Sequence, residues 1–394
     1  MTRVRFLHTA DWQLGKPFGG VTQESARLDL QRARFEAIGR IGEVVRRGGL
    51  SFVVVAGDLF DSVAPDPRTI ARCCGEIGRV PVPFYVIGGN HDHAGAGSVW
   101  ESESFRRQRD QLSPNLHLLG DRTPLATESA VLLPCSLSRR HEVQDPTAWL
   151  RDGIRDVPEH LPRIVIAHGS IQGFGSFADD EECCGEVPNF IDLDRLPMDD
   201  VDYVALGDWH GTREVEPRAW YSGTPEPDRF PKGSGHDPGN VLVVEVERGG
   251  VPRVERCRTA AVGWHELDWE FTGDDGVDLL RCRLDELLAQ RVGLDLLRLG
   301  LRGALGFEEK ARLDRLVADW DARLIRLRVD DAVRMAPTDA ELEALTQRVS
   351  DPLIASVARR LMDLCRGAGD DVRVPAQALR ELYLAVVGAG RTSP

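Results

Sequence analysis

Five short clusters of carboxylate, amide and imidazole residues carry the chemistry this chain could perform. In order they are Asp11 and Gln13 in HTADWQ, Asp58 and Asp61 in GDLFD, Asn90, His91, Asp92 and His93 in GNHDH, His168 in IAHGS, and Asp208 and His210 in GDWH. Oxygen and imidazole donors of these types suit a hard-to-borderline divalent ion such as Mn²⁺, Fe²⁺, Mg²⁺ or Zn²⁺. The absence of thiolates from the set argues against a structural zinc site. Two such ions ~3.5–4 Å apart, bridged by a carboxylate, form a hydrolytic centre for phosphate esters. One cluster alone carries little weight, because an Asp after an apolar run is commonly a cap or turn residue. The weight lies in the order of all five, each closing an apolar run.

Those runs are the elements that must position the ligands. Val4–Leu7, Phe52–Ala56, Phe84–Ile87, Ile164–Ala167 and Tyr203–Leu206 are short, apolar and rich in β-branched residues, as buried strands are. Leu28–Arg47 reads as a helix, with Leu30, Phe35, Ile38, Ile41 and Val45 near helical spacing and Gly48-Gly49 as its stop. Alternating strands and helices predict an α/β fold, and in open α/β sheets function collects beyond the carboxyl ends of the strands. Asn240–Glu247 reads as a further strand. Two long loops, 169–190 and 211–239, interrupt the pattern and are rich in Gly, with acidic residues in the first and Pro in the second.

Beyond about residue 260 the pattern changes. Trp264–Phe271 and Arg323–Val329 alternate like strands, and Val277–Gln290 and Glu308–Arg323 read as helices. The resulting division is 1–260, a metal-binding α/β domain; 261–335, a small α/β accessory or capping domain; and 336–394, a helical segment. In that last segment Asp351-Pro352 reads as an N-cap with proline at N1, opening a helix whose stripe is Leu353, Val357, Leu361 and Leu364. The stripe suits either a partner or packing within its own domain, and the final residues read as frayed.

Composition sets outer limits. The 394 residues are 42% hydrophobic and 28% charged, with a formal net charge of −14, so whole-chain charge does not advertise nucleic-acid binding. No apolar run approaches the ~20 residues of a membrane span, and the N-terminus lacks a signal-peptide core, which predicts a cytoplasmic protein. Eight cysteines occur, including the adjacent pairs Cys73–Cys74 and Cys183–Cys184 but no CxxC, as expected of buried small hydrophobes or of bystanders. His8, on the first strand, reads as a core histidine.

The ordered set D-x-Q, GDxxD, GNHD, H and GDxH resembles the calcineurin-like metallophosphoesterase signature, and the segments HTADWQLGKPF, GDLFD, GNHDH and AWYSGTPEPDRF resemble its SbcD-like DNA repair exonuclease branch. The resemblance covers residues 6 to about 230. It implies a sandwich of two mixed sheets flanked by helices, with a capping domain and a C-terminal segment that binds an SMC-like ATPase. It implies two divalent ions, Mn²⁺ first, held by Asp11, Gln13, Asp58 and His210 and by Asp58, Asn90, His168 and Asp208. His91 would be the acid at the leaving oxygen and Asp92 would orient it. A water activated between the ions would attack phosphorus. Gln13 and Asp208 depart from the family pattern, which has histidine at both places, and make the site more oxygen-rich.

The expected function is therefore metal-dependent phosphodiester hydrolysis on DNA, as a 3′–5′ exonuclease or endonuclease in repair, beside an SMC-like ATPase and with homodimerisation as an analogy. Two other readings use the same residues: a phosphodiesterase or phosphatase for a small molecule, and a catalytically attenuated scaffold for DNA ends or an ATPase.

Overall fold

The computed structural model describes residues 2–152, 154, 157–171, 187–231, 233, 235–272, 276–289, 291–336, 338–348, 351–365 and 373–390. The middle of the 169–190 loop, the Cys183–Cys184 pair and the last four residues lie outside this range. The chain divides into two compact units, Met1–Trp264 and His265–Pro394.

The first unit holds two six-stranded sheets. In the first sheet, β1 (Arg3–Thr9), β2 (Val53–Val55), β3 (Phe84–Val86) and β4 (Leu116–Leu118) run parallel; β11 (Asn240–Glu247) pairs antiparallel with β1, and β12 (Arg253–Arg258) antiparallel with β11. In the second, β6 (Val131–Cys135), β7 (Arg163–His168), β8 (Tyr203–Gly207) and β10 (Ala219–Tyr221) run parallel, with β5 (Leu125–Ala126) and β9 (Arg213–Glu216) antiparallel at the edges. Both sheets are mixed, as the resemblance implied. Strands β9 and β10 correct the reading of 211–239 as one loop: the alternation of REVEPRAWY was hidden by the Pro and Gly around it.

Strand alternation explains the layering. Successive side chains point to opposite faces, so Val54 joins Phe6, Ile164, Ile166, Tyr203 and Leu242 between the sheets. Its neighbours Val53 and Val55 point outward, against Phe35, Ile38 and Ile41 of α1 (Glu24–Gly48) and Ile70, Cys73 and Ile77 of α2 (Pro67–Ile77). A strand covered on both faces must be apolar throughout, which is why these segments read as continuous runs rather than alternations. α1 ends where Gly49 takes a left-handed φ of 57° and its N–H donates to Val45 O. α2 starts on Asp66, which accepts from Arg68 N at 2.7 Å, followed by Pro67 at the first helical position. The short α3 (Glu103–Leu112) adds Phe105 to the same outer core.

His8 is the core residue the sequence suggested. It accepts from Tyr203 Oη at Nδ1 (3.0 Å) and donates from Nε2 to Leu206 O (3.2 Å), which joins β1 to β8 across the two sheets. Burial draws its pKa down to about 3.

The second unit is built on β13 (Gly263–Phe271), β14 (Asp295–Leu305), β15 (Arg326–Asp331) and β16 (Arg334–Met335). Leu297, Leu299 and Leu301 of β14 meet Val277, Leu280 and Leu284 of α4 (Gly276–Leu288) and Leu313, Leu316 and Trp320 of α5 (Phe307–Asp321). Three further helices, α6 (Asp339–Thr346), α7 (Pro352–Cys365) and α8 (Arg373–Gly390), gather around Phe307 through Leu345, Ala358, Leu379 and Tyr383. The segment after 336 thus shares one unit with the accessory sheet.

Candidate metal centre

The candidate ligands lie on the turns that follow β1, β2, β3 and β8 and, for His168, at the last residue of β7. Asp11, Gln13, Asp58 and Asp208 have positive φ (56°, 39°, 54° and 105°), a backbone state that non-glycine residues seldom adopt. The turns hold one another in it: Asp11 N–H donates to Gly57 O (3.2 Å) and Gln13 N–H to Asp58 O (2.9 Å). Close approach also explains two glycines of the motifs. A Cβ at Gly89 would stand 2.1 Å from Asp58 Oδ1, and one at Gly57, itself at φ 88°, would stand 2.4 Å from His168 Nδ1.

Asp11, Asp58 and His168 are fully or almost fully buried, and each offers a ligand atom within 4.8 Å of the others. Among the described residues no cysteine joins this group. His168 Nδ1 donates to Ala56 O at 2.8 Å, which turns Nε2 into the cluster. That nitrogen faces Asn90 Oδ1 at 3.4 Å, Asp58 Oδ1 at 3.6 Å and Asp208 Oδ1 at 4.0 Å. Four potential ligand atoms at such spacing match donors ~2.0–2.2 Å from one shared divalent ion. Asp208 is steadied by Ser170 Oγ (2.9 Å), and its own N–H donates to both Asp11 carboxylate oxygens (3.2 Å each).

The electrostatics agree with a cation-seeking pocket. Burial works to lower the His168 pKa, but Asp58, Asp11 and Asp208 outweigh it and carry it up to about 9. Burial lifts Asp11 to about 6, against the pull of His210 and His168. A pocket that favours protonated imidazole and resists a third carboxylate charge favours any positive charge placed there.

The other half of the constellation is organised differently. His210 Nδ1 donates to Asp228 Oδ1 at 3.0 Å. Lys16 Nζ donates to Gln13 Oε1 at 2.6 Å and pairs with Asp228 Oδ2 at 2.9 Å and Asp61 Oδ1 at 3.8 Å. Gln13 Nε2 then faces Asp58 Oδ2 and His210 Nε2, each at 3.4 Å. Burial works to raise the Asp228 pKa, but His210, Lys16 and Arg229 hold it well below the usual range. The Gln13 oxygen, a donor an ion here would share with Asp11, Asp58 and His210, is turned to Lys16, and an N–H stands in its place. The residues near His168 therefore fit a divalent ion, and those around Gln13 do not.

His91 is more exposed than Asp92 or any of the seven candidate ligands, with 28% of its side chain accessible. Its N–H donates to Asp58 Oδ1 (2.9 Å), and Nδ1 donates to Asp61 O (3.0 Å). Nε2 is left toward the cluster, 4.0 Å from Asp58 Oδ2. Asp92 makes different contacts from those the resemblance implied. Its carboxylate accepts from Asp58 N (3.2 Å), Gly89 N (2.9 Å) and Phe60 N (3.0 Å), and none of these is the His91 ring. It ties the GDLFD turn to the GNHD turn, and so sets the Asp61 carbonyl that holds His91. Burial, then the charge of Asp58, lift its pKa to about 7.

Several supports gave no motif in the sequence. Buried Arg34 on α1 donates to Trp12 O (2.7 Å), Asp11 O (3.0 Å), Glu226 O (2.9 Å) and Thr224 Oγ1 (3.2 Å), joining the first turn to the YSGTPEPDRF segment. Asp228, in that segment, is the carboxylate behind His210. Tyr221 Oη donates to Gly169 O at 2.7 Å. The AWYSGTPEPDRF resemblance marked the region but not these partners. Trp12 packs in the core and donates to Thr9 Oγ1 (2.9 Å), so its ring is not presented to a substrate.

The geometry is that of a metal-dependent hydrolytic centre on a two-sheet sandwich, and a family model for calcineurin-like phosphoesterases matches residues 4–212. The chain belongs to that family. It is 30% identical over 257 residues to the D subunit of nuclease SbcCD from Bacillus subtilis strain 168, a match covering 56% of this chain and 61% of that protein. It is 25% identical over 222 residues to the uncharacterized metallophosphoesterase YhaO of the same organism, covering 53% of this chain and 49% of that one. The chain thus spans between about half and three-fifths of the length of these curated relatives. Among solved structures, TT1561 of Thermus thermophilus aligns over 66% of this chain and 100% of its own, at 12% identity and a TM-score of 0.39; a likeness of that degree carries no argument. Among the described residues, no helix is long and apolar enough to cross a membrane.

Proposed function

We propose that this chain is a divalent-metal-dependent phosphodiesterase acting on DNA, an exonuclease or endonuclease of repair working in the cytoplasm beside an SMC-like ATPase. The observation that carries the hydrolytic part is the inward-facing set Asp58, Asn90, His168 and Asp208 beneath the more exposed His91. Mn²⁺ suits an oxygen-rich set of this kind. A bound ion would supply Lewis-acid stabilisation of charge on the phosphoryl oxygens.

The protein's own residues divide the remaining work. Asp58 and Asp208, with Asn90 and His168, fix the ion's place. Arg34 and Asp92 hold the turns that carry them. His91, its Nδ1–H bonded to Asp61 O, is oriented so that a protonated Nε2 delivers its proton to the departing sugar oxygen, help of a kind worth ~10²–10⁴-fold. Asp11, Gln13 and His210 complete the wall of the site.

DNA as the substrate is supported by similarity to a nuclease subunit, and the ATPase partner by the same likeness. On α7, Leu353 is 74% exposed and Leu364 56%, whereas Ala355 and Ala358 face inward. That leaves most of the stripe Leu353, Val357, Leu361 and Leu364 for the ATPase, and Leu361 packs against the unit's own core. Hydrolysis of a small-molecule diester is the second reading, since the family and the metal centre serve it equally.

The deciding assay is cleavage of linear double- and single-stranded DNA with Mn²⁺, with His91→Ala and Asp58→Ala as controls. Cleavage lost in both variants supports the nuclease reading. Hydrolysis of a chromogenic phosphodiester without any action on DNA, alone or with the ATPase, favours the second reading.

A further inference from the structure

We infer that Lys16 closes one half of this centre, so that the chain holds a single tight divalent ion, in the Asp58, Asn90, His168 and Asp208 half. The inference rests on the metal-dependent reading above and deepens it. Four contacts close into one network. Lys16 Nζ donates to Gln13 Oε1 (2.6 Å), Gln13 Nε2 points to His210 Nε2 (3.4 Å), His210 Nδ1 donates to Asp228 Oδ1 (3.0 Å), and Asp228 Oδ2 pairs back with Lys16 (2.9 Å).

The orientation of the Gln13 amide follows from chemistry. Turned the other way, its NH₂ would meet the Lys16 ammonium at 2.6 Å, donor against donor. Held as it is, it directs an N–H toward Asp58 Oδ2 and His210 Nε2, the two atoms on that side best able to bind a cation. A bond donor aimed at both, with a full positive charge one side chain behind, opposes a second ion. The His168 side has a different character: three oxygens, Asn90 Oδ1, Asp58 Oδ1 and Asp208 Oδ1, converge on His168 Nε2.

The Gln13–Lys16 pair is local in sequence. Lys16 N–H donates to Gln13 O (3.2 Å) and Gln31 Nε2 to Lys16 O (3.1 Å), so the turn holds the ammonium in place. Lys16 is thus a positioning residue for metal number, acting through Gln13.

The test is Mn²⁺ titration by calorimetry, with electron spin resonance of the bound ion, on the full chain and on Lys16→Met, Lys16→Arg and Gln13→His. The wild type should take one tight ion with an uncoupled Mn²⁺ spectrum. Lys16→Met should strengthen the second site about tenfold to a hundredfold, the equilibrium worth of a charge-assisted hydrogen bond. Lys16→Arg should keep the wild-type pattern, and Gln13→His combined with Lys16→Met should give two ions and an exchange-coupled spectrum. Two ions of equal affinity in the wild type, or a second site indifferent to Lys16→Met in a variant that melts like the wild type, overturns the inference. Absence of any bound Mn²⁺ in the wild type refutes the metal-centre reading itself, and the inference with it. Loss of the single tight ion in Asp58→Ala alone keeps both.

Discussion

Gly89→Ala should disable the metal centre while sparing the fold. The new Cβ would lie 2.1 Å from Asp58 Oδ1 and 2.5 Å from Asp58 N, where 3.4 Å begins ordinary contact. The shortfall is 3.4 − 2.1 = 1.3 Å, and neither neighbour can yield freely. Asp58 N is bonded to Asp92 Oδ1, and Asp58 Oδ1 accepts from His91 N. The carboxylate must therefore leave its place between His168 and Asn90. Overpacking of this kind costs about 1–3 kcal/mol, a small loss for a unit of this size. A displacement near 1 Å at reacting groups costs about 10²-fold in turnover. The assay pairs Mn²⁺ affinity by calorimetry with hydrolysis of a chromogenic phosphodiester and a melting curve. Gly75→Ala on α2 is the control: nothing stands within 4 Å of its Cβ, so it should leave metal binding alone and stabilise the helix by about 1 kcal/mol. Wild-type metal affinity and turnover in Gly89→Ala would refute the claim that glycine is required there by the ligand beside it.

His91→Ala should retain Mn²⁺ affinity and lose ~10²–10⁴-fold in turnover; equal loss of metal would show that His91 is a ligand. Mn²⁺ at about a hundred times its dissociation constant should stabilise the chain by about 2.7 kcal/mol, and differential scanning calorimetry should find no such shift in Asp58→Ala. Arg34→Leu strips four acceptors of their buried donor and should destabilise the first unit by about 3–5 kcal/mol, read as a lower urea midpoint. His8 gives a pH test. Its folded pKa of about 3 lies below the ordinary 6.5, so the unfolded chain takes the proton first; its contribution is full above pH 6.5 and is lost as pH falls from there toward 3. The stability difference between wild type and His8→Gln should shrink by about 2 kcal/mol from pH 7.5 to pH 5; a difference that does not vary with pH would refute the neutral, buried state.

Residues that serve the site from within one turn were legible. Asp58, Asn90, His91, His168 and His210 stood out because each follows an apolar run of the sequence by one to four residues, and a parallel sheet collects strand ends on one edge. The sandwich itself was legible for the same reason, since strands buried on both faces read as unbroken apolar runs. What the site rests on was not. Arg34 and Glu226 are 192 positions apart, and His210 and Asp228 are 18, with no periodicity to link either pair. The contacts of Asp92 were not legible because adjacency to His91 in sequence says nothing of direction: its carboxylate accepts from two amides of the GDLFD turn and from Gly89 in its own turn, and reaches His91 only through the Asp61 carbonyl.

Composition and spacing alone determined which atoms could bind a cation and which strands would bring them together, because side-chain chemistry and strand alternation are local properties. Only the tertiary structure decided which way each donor faces. Gln13 reads from sequence as an oxygen ligand in place of the family's histidine, and it is Lys16, seated by the turn and by Asp228 from a distant loop, that turns its oxygen away and its N–H inward.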